Sequence, residues 1–282
     1  MMNQCEDKDS KFSFYEKHRE CIIRIRNLVY IICVLPVVFL FLLRSFFFVK
    51  YTILSGSMLP TIQVGESVFI SKLLYGWRIK ALWSDRPDYF YRIHGTRDIV
   101  PGDIIVFNAP FGEYDLGTIR FNSDIKYCKR VLGSPGARIG TVDGHCWNDK
   151  VLQPIGVLDE QKKLRWMFDS IFVWRQTYNV IPMEEKSWNI KNWGPLIVPQ
   201  KGLTIELDSF LLNIYRPIIE YETGEELSNK VLEYTFDNNY YFVIGDNVID
   251  SFDSRYWGFL PEDFVIGIVN RKENRNKKKH TH

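Results

Sequence analysis

At 282 residues the chain is longer than one average domain, which leaves room for two globular units or for one domain with a membrane anchor. A composition of 46% hydrophobic, 15% aromatic and 25% charged residues excludes the disordered and collagen-like classes, and a mean hydropathy of -0.16 excludes a polytopic transporter, whose several apolar spans would drive the mean strongly positive. Thirty-six Lys plus Arg against thirty-four Asp plus Glu leave a net charge of +2, without the broad basic field that nucleic-acid binding uses.

Residues 1–26 form a polar segment in which Lys17, Arg19, Arg24 and Arg26 crowd the approach to an apolar run. That run, Leu28 to Leu43, reads LVYIICVLPVVFLFLL and has no charge before Arg44. It predicts one transmembrane helix over residues 27–45, with Arg44 snorkelling, Phe46 to Phe48 at the interface, and Pro36 tolerated within the span. A cleavable secretory signal is the competing reading, but both the leading polar segment and the apolar run are long for one. The excess of Lys and Arg before the run places the N-terminus in the cytoplasm and everything after about residue 45 outside.

Beyond Lys50 the pattern becomes short β-type runs: Tyr51 to Leu54, Ser67 to Ile70, Asp103 to Phe107, Tyr127 to Leu132, Tyr240 to Ile244 and Phe264 to Val269. Turn signals separate them at Val64-Gly65, Pro101-Gly102, Ser134-Pro135-Gly136 and Asp143-Gly144. No helical period is sustained over three turns, so the exported part reads as mainly β. Residues 46–145 and 240–270 form the two parts of a β core. Residues 146–239 form an inserted, Trp-rich and β-rich lobe with Trp147, Trp166, Trp174, Trp188 and Trp193, then a charged run from Glu220 to Lys230. The tail, residues 271–282, reads RKENRNKKKHTH: a solvated disordered end, or one that touches anionic lipid headgroups. The five cysteines, Cys5, Cys21, Cys33, Cys128 and Cys146, lack metal-ligand spacing and read as unlinked small hydrophobes. A bridge between Cys128 and Cys146 is the one pairing left open by a membrane crossing.

Ordinary hydrolytic motifs are missing: there is no G-x-S-x-G elbow, no H-E-x-x-H and no phosphate-binding G-x-x-x-x-G-K-[ST]. His94 and His145, in turn-like contexts, have no motif to support a Ser-His-Asp triad. Three other elements stand out. Ser55-Gly56-Ser57-Met58-Leu59-Pro60-Thr61 is a tight turn in which a serine oxygen and its N–H can face one cavity, although such segments are also ordinary loops. In the strand Tyr127 to Leu132, Lys129 shares a face with Tyr127 and Val131, while Cys128, Arg130 and Leu132 take the other. Lys129 is then either a snorkelling edge residue or a desolvated amine whose lowered pKa suits a general base. The block Gly245 to Gly258, GDNVIDSFDSRYWG, offers Asp246 and Asp253 to pair with Arg130 and Arg255, and Ser251 to orient an amine. It also reads as a polar surface loop or a cation site.

In this order, just after a single span, the blocks SGSMLPTIQVG, PGDIIVF, KYCKRVLGSPG and GDNVIDSFDSRYWGFLP resemble the bacterial type I signal peptidases, from about Arg44 to Val269 apart from the insert. The insert resembles the larger accessory lobe of Gram-negative members, whereas the single anchor is more like the Gram-positive topology. The resemblance implies a Ser-Lys endopeptidase fold with Ser57 as nucleophile and Lys129 as general base. It further implies the Ser57 N–H and Ser55 hydroxyl as oxyanion donors, Ser251 as support for the amine, and Arg130–Asp246 and Arg255–Asp253 as structural pairs. Ile53, Met58, Val68, Val106, Tyr127 and Cys128 match positions that line the substrate pockets. Departures are Leu54 for a proline, Val49-Lys50 for Glu-Pro, Glu66 for Asp, and Val248, Ile249 and Asp250 for Arg-Asp-Asn.

The expected activity is cleavage of signal peptides from exported preproteins after a small-x-small motif, by a monomer in the cytoplasmic membrane that touches lipid and needs no cofactor, metal or nucleic acid. The alternatives are a specialised peptidase of the same superfamily that matures a conjugation or pilus protein, and an inactive membrane-tethered peptide-binding module.

Overall fold

The computed structural model describes residues 18–80, 90–112, 117–166, 188–228 and 232–270. Cys5, Lys17, Trp174 and the tail from Arg271 to His282 lie outside them. The chain divides into two units, Met1–Phe48 and Val49–His282.

The described residues of the first unit are helical up to Phe47. Its stretch His18–Phe41 is long and apolar enough to cross a membrane, and protein buries none of it. A π-helical segment, Tyr30–Val34, leads into the α-helix α1, Leu35–Phe47. Pro36 accounts for the widened turn: it has no N–H to give Ile32 and its ring crowds that carbonyl, which a wider turn relieves.

The second unit is mainly β. In chain order its strands are β1 (Phe48–Thr52), β2 (Ser67–Ser71), β3 (Gly76–Lys80), β4 (Phe90–His94), β5 (Ile104–Ala109), β6 (Asn122–Gly133), β7 (Arg138–Val142) and β8 (His145–Asn148). After the helix α2 (Leu158–Trp166) come β9 (Trp193–Ile197), β10 (Thr204–Glu206), the helix α3 (Ser209–Thr223), β11 (Glu233–Thr235), β12 (Tyr240–Ile244), β13 (Leu260–Pro261) and β14 (Val265–Val269). The main sheet runs β1-β2-β14-β5-β6-β12-β13. Each of the six β-type runs supplies one of its strands. The first is displaced: β1 ends at Thr52, which leaves Ile53 and Leu54 to lead into the serine turn. Gly65 and Gly102 carry φ of 83° and 97°, so the turns entering β2 and β5 need residues free of a Cβ.

Two apolar clusters lie on the main sheet. The larger includes Phe107, Val131, Leu132, Phe242 and Phe264, and continues without a break into α3 and the three-stranded sheet β8-β7-β9. The smaller gathers Ile53, Met58, Ile62, Val68, Ile70, Ile104, Val106, Cys128 and Val269. Cys128 and Cys146 are both free thiols, the first in the smaller cluster and the second packed against the larger, so they form no bridge.

Two expectations are corrected. A helical period is present after Lys50: α3 buries Phe210, Leu212, Ile214, Tyr215, Ile218 and Ile219, with Asp208 accepting from Leu211 N at 2.7 Å as N-cap and Gly224 as C-cap. Together with α2 it makes the Trp-rich region a mixture of helix and strand. His94 and His145 sit in strands rather than turns, closing β4 and opening β8.

Candidate active site

Ser57 lies in a one-turn 3-10 helix, Gly56–Met58, directly after β1. Ile53 prepares its approach by donating to Glu66 O and accepting from Gly65 N, at 2.9 and 2.7 Å. The turn closes with Leu59 N on Gly56 O at 3.1 Å and Ile62 N on Met58 O at 2.9 Å, while Met58 and Ile62 are sunk in the smaller cluster. An apolar anchor thus fixes the backbone on one side and leaves the serine to face the other. Ser57 Oγ stands 3.2 Å from Ser55 Oγ. In the first turn of such a helix the N–H groups have no intrahelical acceptor, so the Ser57 N–H is available to a ligand.

Lys129 lies on β6 opposite Ile105 of β5. It is 1% exposed, and its Nζ donates to Ser251 Oγ at 3.1 Å and lies 5.7 Å from the Tyr127 ring centre. Burial pushes the amine down to about 8, against the opposing charge of Asp253. Ser57 and Lys129 do not bond to each other here; each is engaged by another serine. They approach through a shared neighbour, because a Cβ on Gly245 would meet both Ser251 Oγ and the Ser57 carbonyl, at 2.2 and 2.5 Å.

The loop that carries Ser251 is held by two arginine forks. Arg130 donates from Nε and Nη2 to the two oxygens of Asp246, each at 2.7 Å, and from Nη1 to Gly102 O at 2.7 Å, which ties the loop to the entry of β5. Arg255 donates from Nε and Nη2 to Asp253, each at 2.8 Å, and from Nη2 to Val248 O at 2.9 Å. Asp253 also accepts from Gly245 N at 2.9 Å and caps the short helix Ser254–Trp257. Burial alone would raise the Asp253 carboxyl, but the adjoining Arg255 guanidinium outweighs it and holds the group below the usual carboxylate range.

Of the six residues expected to line substrate pockets, Ile53, Met58, Val68, Val106 and Cys128 share the smaller cluster. Tyr127 packs on the other side of the sheet, with ring centres 6.2 Å from Phe107 and 5.9 Å from Phe111. Alternation along β6 produces this split, since Tyr127 and Lys129 face one way and Cys128 the other. Two residues to which the sequence assigned no role complete the site. Asn247 donates its N–H to Ser57 O at 3.0 Å and its side-chain amide to Gly56 O at 3.2 Å, stapling the serine turn to the loop, and Gly245 permits that approach. Their only sequence signal is a Gly-Asp-Asn turn. No group of three or more His, Cys, Asp or Glu suited to a metal ion occurs among the described residues. A hydroxyl, a buried amine with lowered proton affinity and open N–H donors together equip a site for acyl transfer.

Residues 25–272 match the family described as signal peptidase, peptidase S26. The chain is 26% identical over 248 residues to the signal peptidase I of Buchnera aphidicola subsp. Schizaphis graminum, covering 80% of this chain and 68% of that one. It is 28% identical over 264 residues to that of Buchnera aphidicola subsp. Acyrthosiphon pisum, covering 89% and 77%. For the signal peptidase I of Haemophilus influenzae the identity is 27% over 248 residues, covering 80% and 63%. A match that spans most of the chain, from the apolar helix through β14, shows that the protein belongs to the signal peptidase family, peptidase S26.

Proposed function

We propose that this chain is a membrane-bound serine endopeptidase of the signal peptidase I type, which cuts N-terminal signal peptides from exported preproteins after a small-x-small motif. The observation that carries the chemistry is the Lys129 amine, buried, bonded to Ser251 and pushed down to about 8, beside a serine turn with an open N–H. Ser57 Oγ attacks the scissile carbonyl carbon as Lys129 takes its proton. In giving up its contact with Ser55, Ser57 leaves the Ser55 hydroxyl free to join the Ser57 N–H in donating to the new oxyanion. Collapse breaks the C–N bond, and the Lys129 ammonium returns its proton to the leaving amine. Water, deprotonated by Lys129, then hydrolyses the acyl-serine ester and restores the hydroxyl.

The apolar helix anchors the enzyme in the cytoplasmic membrane, with the basic residues Arg19, Arg24 and Arg26 on the cytoplasmic side and the β unit outside. Tethering raises the effective concentration of a substrate whose own apolar segment is in the membrane. An extended peptide laid along the sheet turns alternate side chains to one face, so two shallow pockets two residues apart select small groups. The test is cleavage of a preprotein with an A-x-A site by the detergent-purified protein. Ser57→Ala and Lys129→Ala each abolish cleavage while unfolding remains cooperative; retained activity in Lys129→Ala overturns the dyad.

A further inference from the structure

β1 and β6 are four strands apart in the order of the main sheet, a distance of about 19 Å in a flat sheet and far beyond the reach of one side chain. Yet Tyr51 of β1 donates from its hydroxyl to the Lys126 carbonyl of β6 at 2.8 Å. The sheet therefore curls until its first strand stands over the first half of β6, and the smaller apolar cluster, with Val49 and Tyr51 packed against it, fills the concavity.

The carbonyl that Tyr51 takes belongs to an open edge. Val131 exchanges backbone bonds with Gly102 and Asp103, at 2.8 Å each, on the β5 side. Alternate residues turn their backbone groups to opposite edges, so Lys126, Cys128 and Arg130 turn theirs away from β5. On that side β12 pairs with β6 only from Arg130 onward. Among the described residues, the backbone groups of Lys126 and Cys128 thus face an edge that no strand covers. This edge runs up to Lys129, and a peptide presented to the Ser57–Lys129 pair can add to it as a strand.

We propose that Tyr51 is a clasp over this groove: its hydroxyl holds the Lys126 carbonyl that the peptide segment upstream of the cleaved bond must take, so productive binding requires the clasp to open. The inference rests on Ser57 and Lys129 being the cleavage site, and it adds a control on access that the dyad does not supply. The bond is exposed to solvent, which makes it weak enough to open readily, and only the open fraction binds at full strength. The hydroxyl is the group that Tyr51→Phe removes, while the apolar ring, partly buried against the smaller cluster, is kept.

The experiment compares the wild type with Tyr51→Phe on two peptides of equal length with several residues ahead of an A-x-A site, one unmodified and one N-methylated on the backbone nitrogens from the first alanine upstream. Loss of one exposed hydrogen bond raises kcat/KM for the unmodified peptide about three- to tenfold. The N-methylated peptide, which has no N–H to give the Lys126 carbonyl, shows no change. An unchanged or lowered value for the unmodified peptide, or equal changes in both, overturns the clasp. Ser57→Ala is assayed on the same unmodified peptide: cleavage by that variant overturns the serine reading whatever Tyr51→Phe does.

Discussion

Replacing Gly245 with alanine puts a methyl group into occupied space. The new Cβ would stand 2.2 Å from Ser251 Oγ, 2.6 Å from Ser251 Cβ and 2.5 Å from the Ser57 carbonyl oxygen. Ordinary contact between such atoms needs about 3.5 Å, so one neighbour has to retreat by roughly 1 Å. Neither moves without consequence. Ser251 is 3% exposed and accepts from Lys129 at 3.1 Å, and a shift of that size takes the pair beyond hydrogen-bonding distance. The Ser57 carbonyl is held by Asn247 N at 3.0 Å, so moving it turns the proposed nucleophile. A misplacement of about 1 Å at a reacting centre costs on the order of 100-fold in rate, and overpacking costs roughly 1–3 kcal/mol of stability. Expected for Gly245→Ala is a folded protein with a lower urea midpoint and kcat/KM on an A-x-A preprotein reduced about 100-fold. A variant that retains most of its activity would show that the serine turn and the Ser251 loop do not have to meet this closely.

The pH profile follows from Lys129. As the proposed general base Lys129 works as the neutral amine, and its pKa of about 8 lies below the ordinary 10.5, so kcat/KM falls about tenfold per unit below pH 8 and levels off above it. A rate that stays flat down to pH 5 points to another base. The same shift bears on stability. Between about 8 and 10.5 the unfolded chain holds a proton that the folded chain has lost, so stability rises with pH across that window, and the penalty is complete below it. Lys129→Met is therefore inactive yet more stable than wild type by about 1–3 kcal/mol at pH 7; denaturant curves that show it less stable would contradict the cost assigned to the buried amine. Asp253→Asn leaves the buried Arg255 without its anion and costs roughly 3–5 kcal/mol; a urea midpoint near that of wild type would mean that the pair carries no structural load.

The sequence revealed the strands whose apolar residues follow the usual alternation, and the local chemistry of the serine turn and the lysine strand. It hid elements in which that pattern is broken. The β3–β4 hairpin is inverted: Arg78 and Arg92, paired across it, turn inward and donate to the carbonyls of Asp263 and Phe264 and of Glu262 and Val265, while Ile79, Tyr91 and Ile93 are exposed. Charged residues facing the protein and apolar ones facing out do not read as a strand in a half-buried sheet. α3 was masked by Pro217, which stands inside the helix and argues against one on sequence grounds. Gly245 and Asn247 read only as part of a turn, since their roles come from an approach between segments nearly two hundred residues apart in the chain.

The electrostatics of the site explain why a carboxylate can sit among its buried groups. A buried amine near a buried carboxylate ordinarily keeps its proton, because each charge stabilises the other. Asp253 has this effect on Lys129, raising its proton affinity, but burial and the positive charge of Arg255 act the other way and leave the amine near 8. Arg255 achieves this through the bidentate fork, which engages both Asp253 oxygens at 2.8 Å. The same fork positions the loop, since Asp253 accepts from Gly245 N and Arg255 donates to Val248 O. Placing Ser251 and lowering the proton affinity of Lys129 are thus one arrangement. Any substitution that frees the Asp253 charge from Arg255 raises the pKa of Lys129 even where the serine turn stays in place.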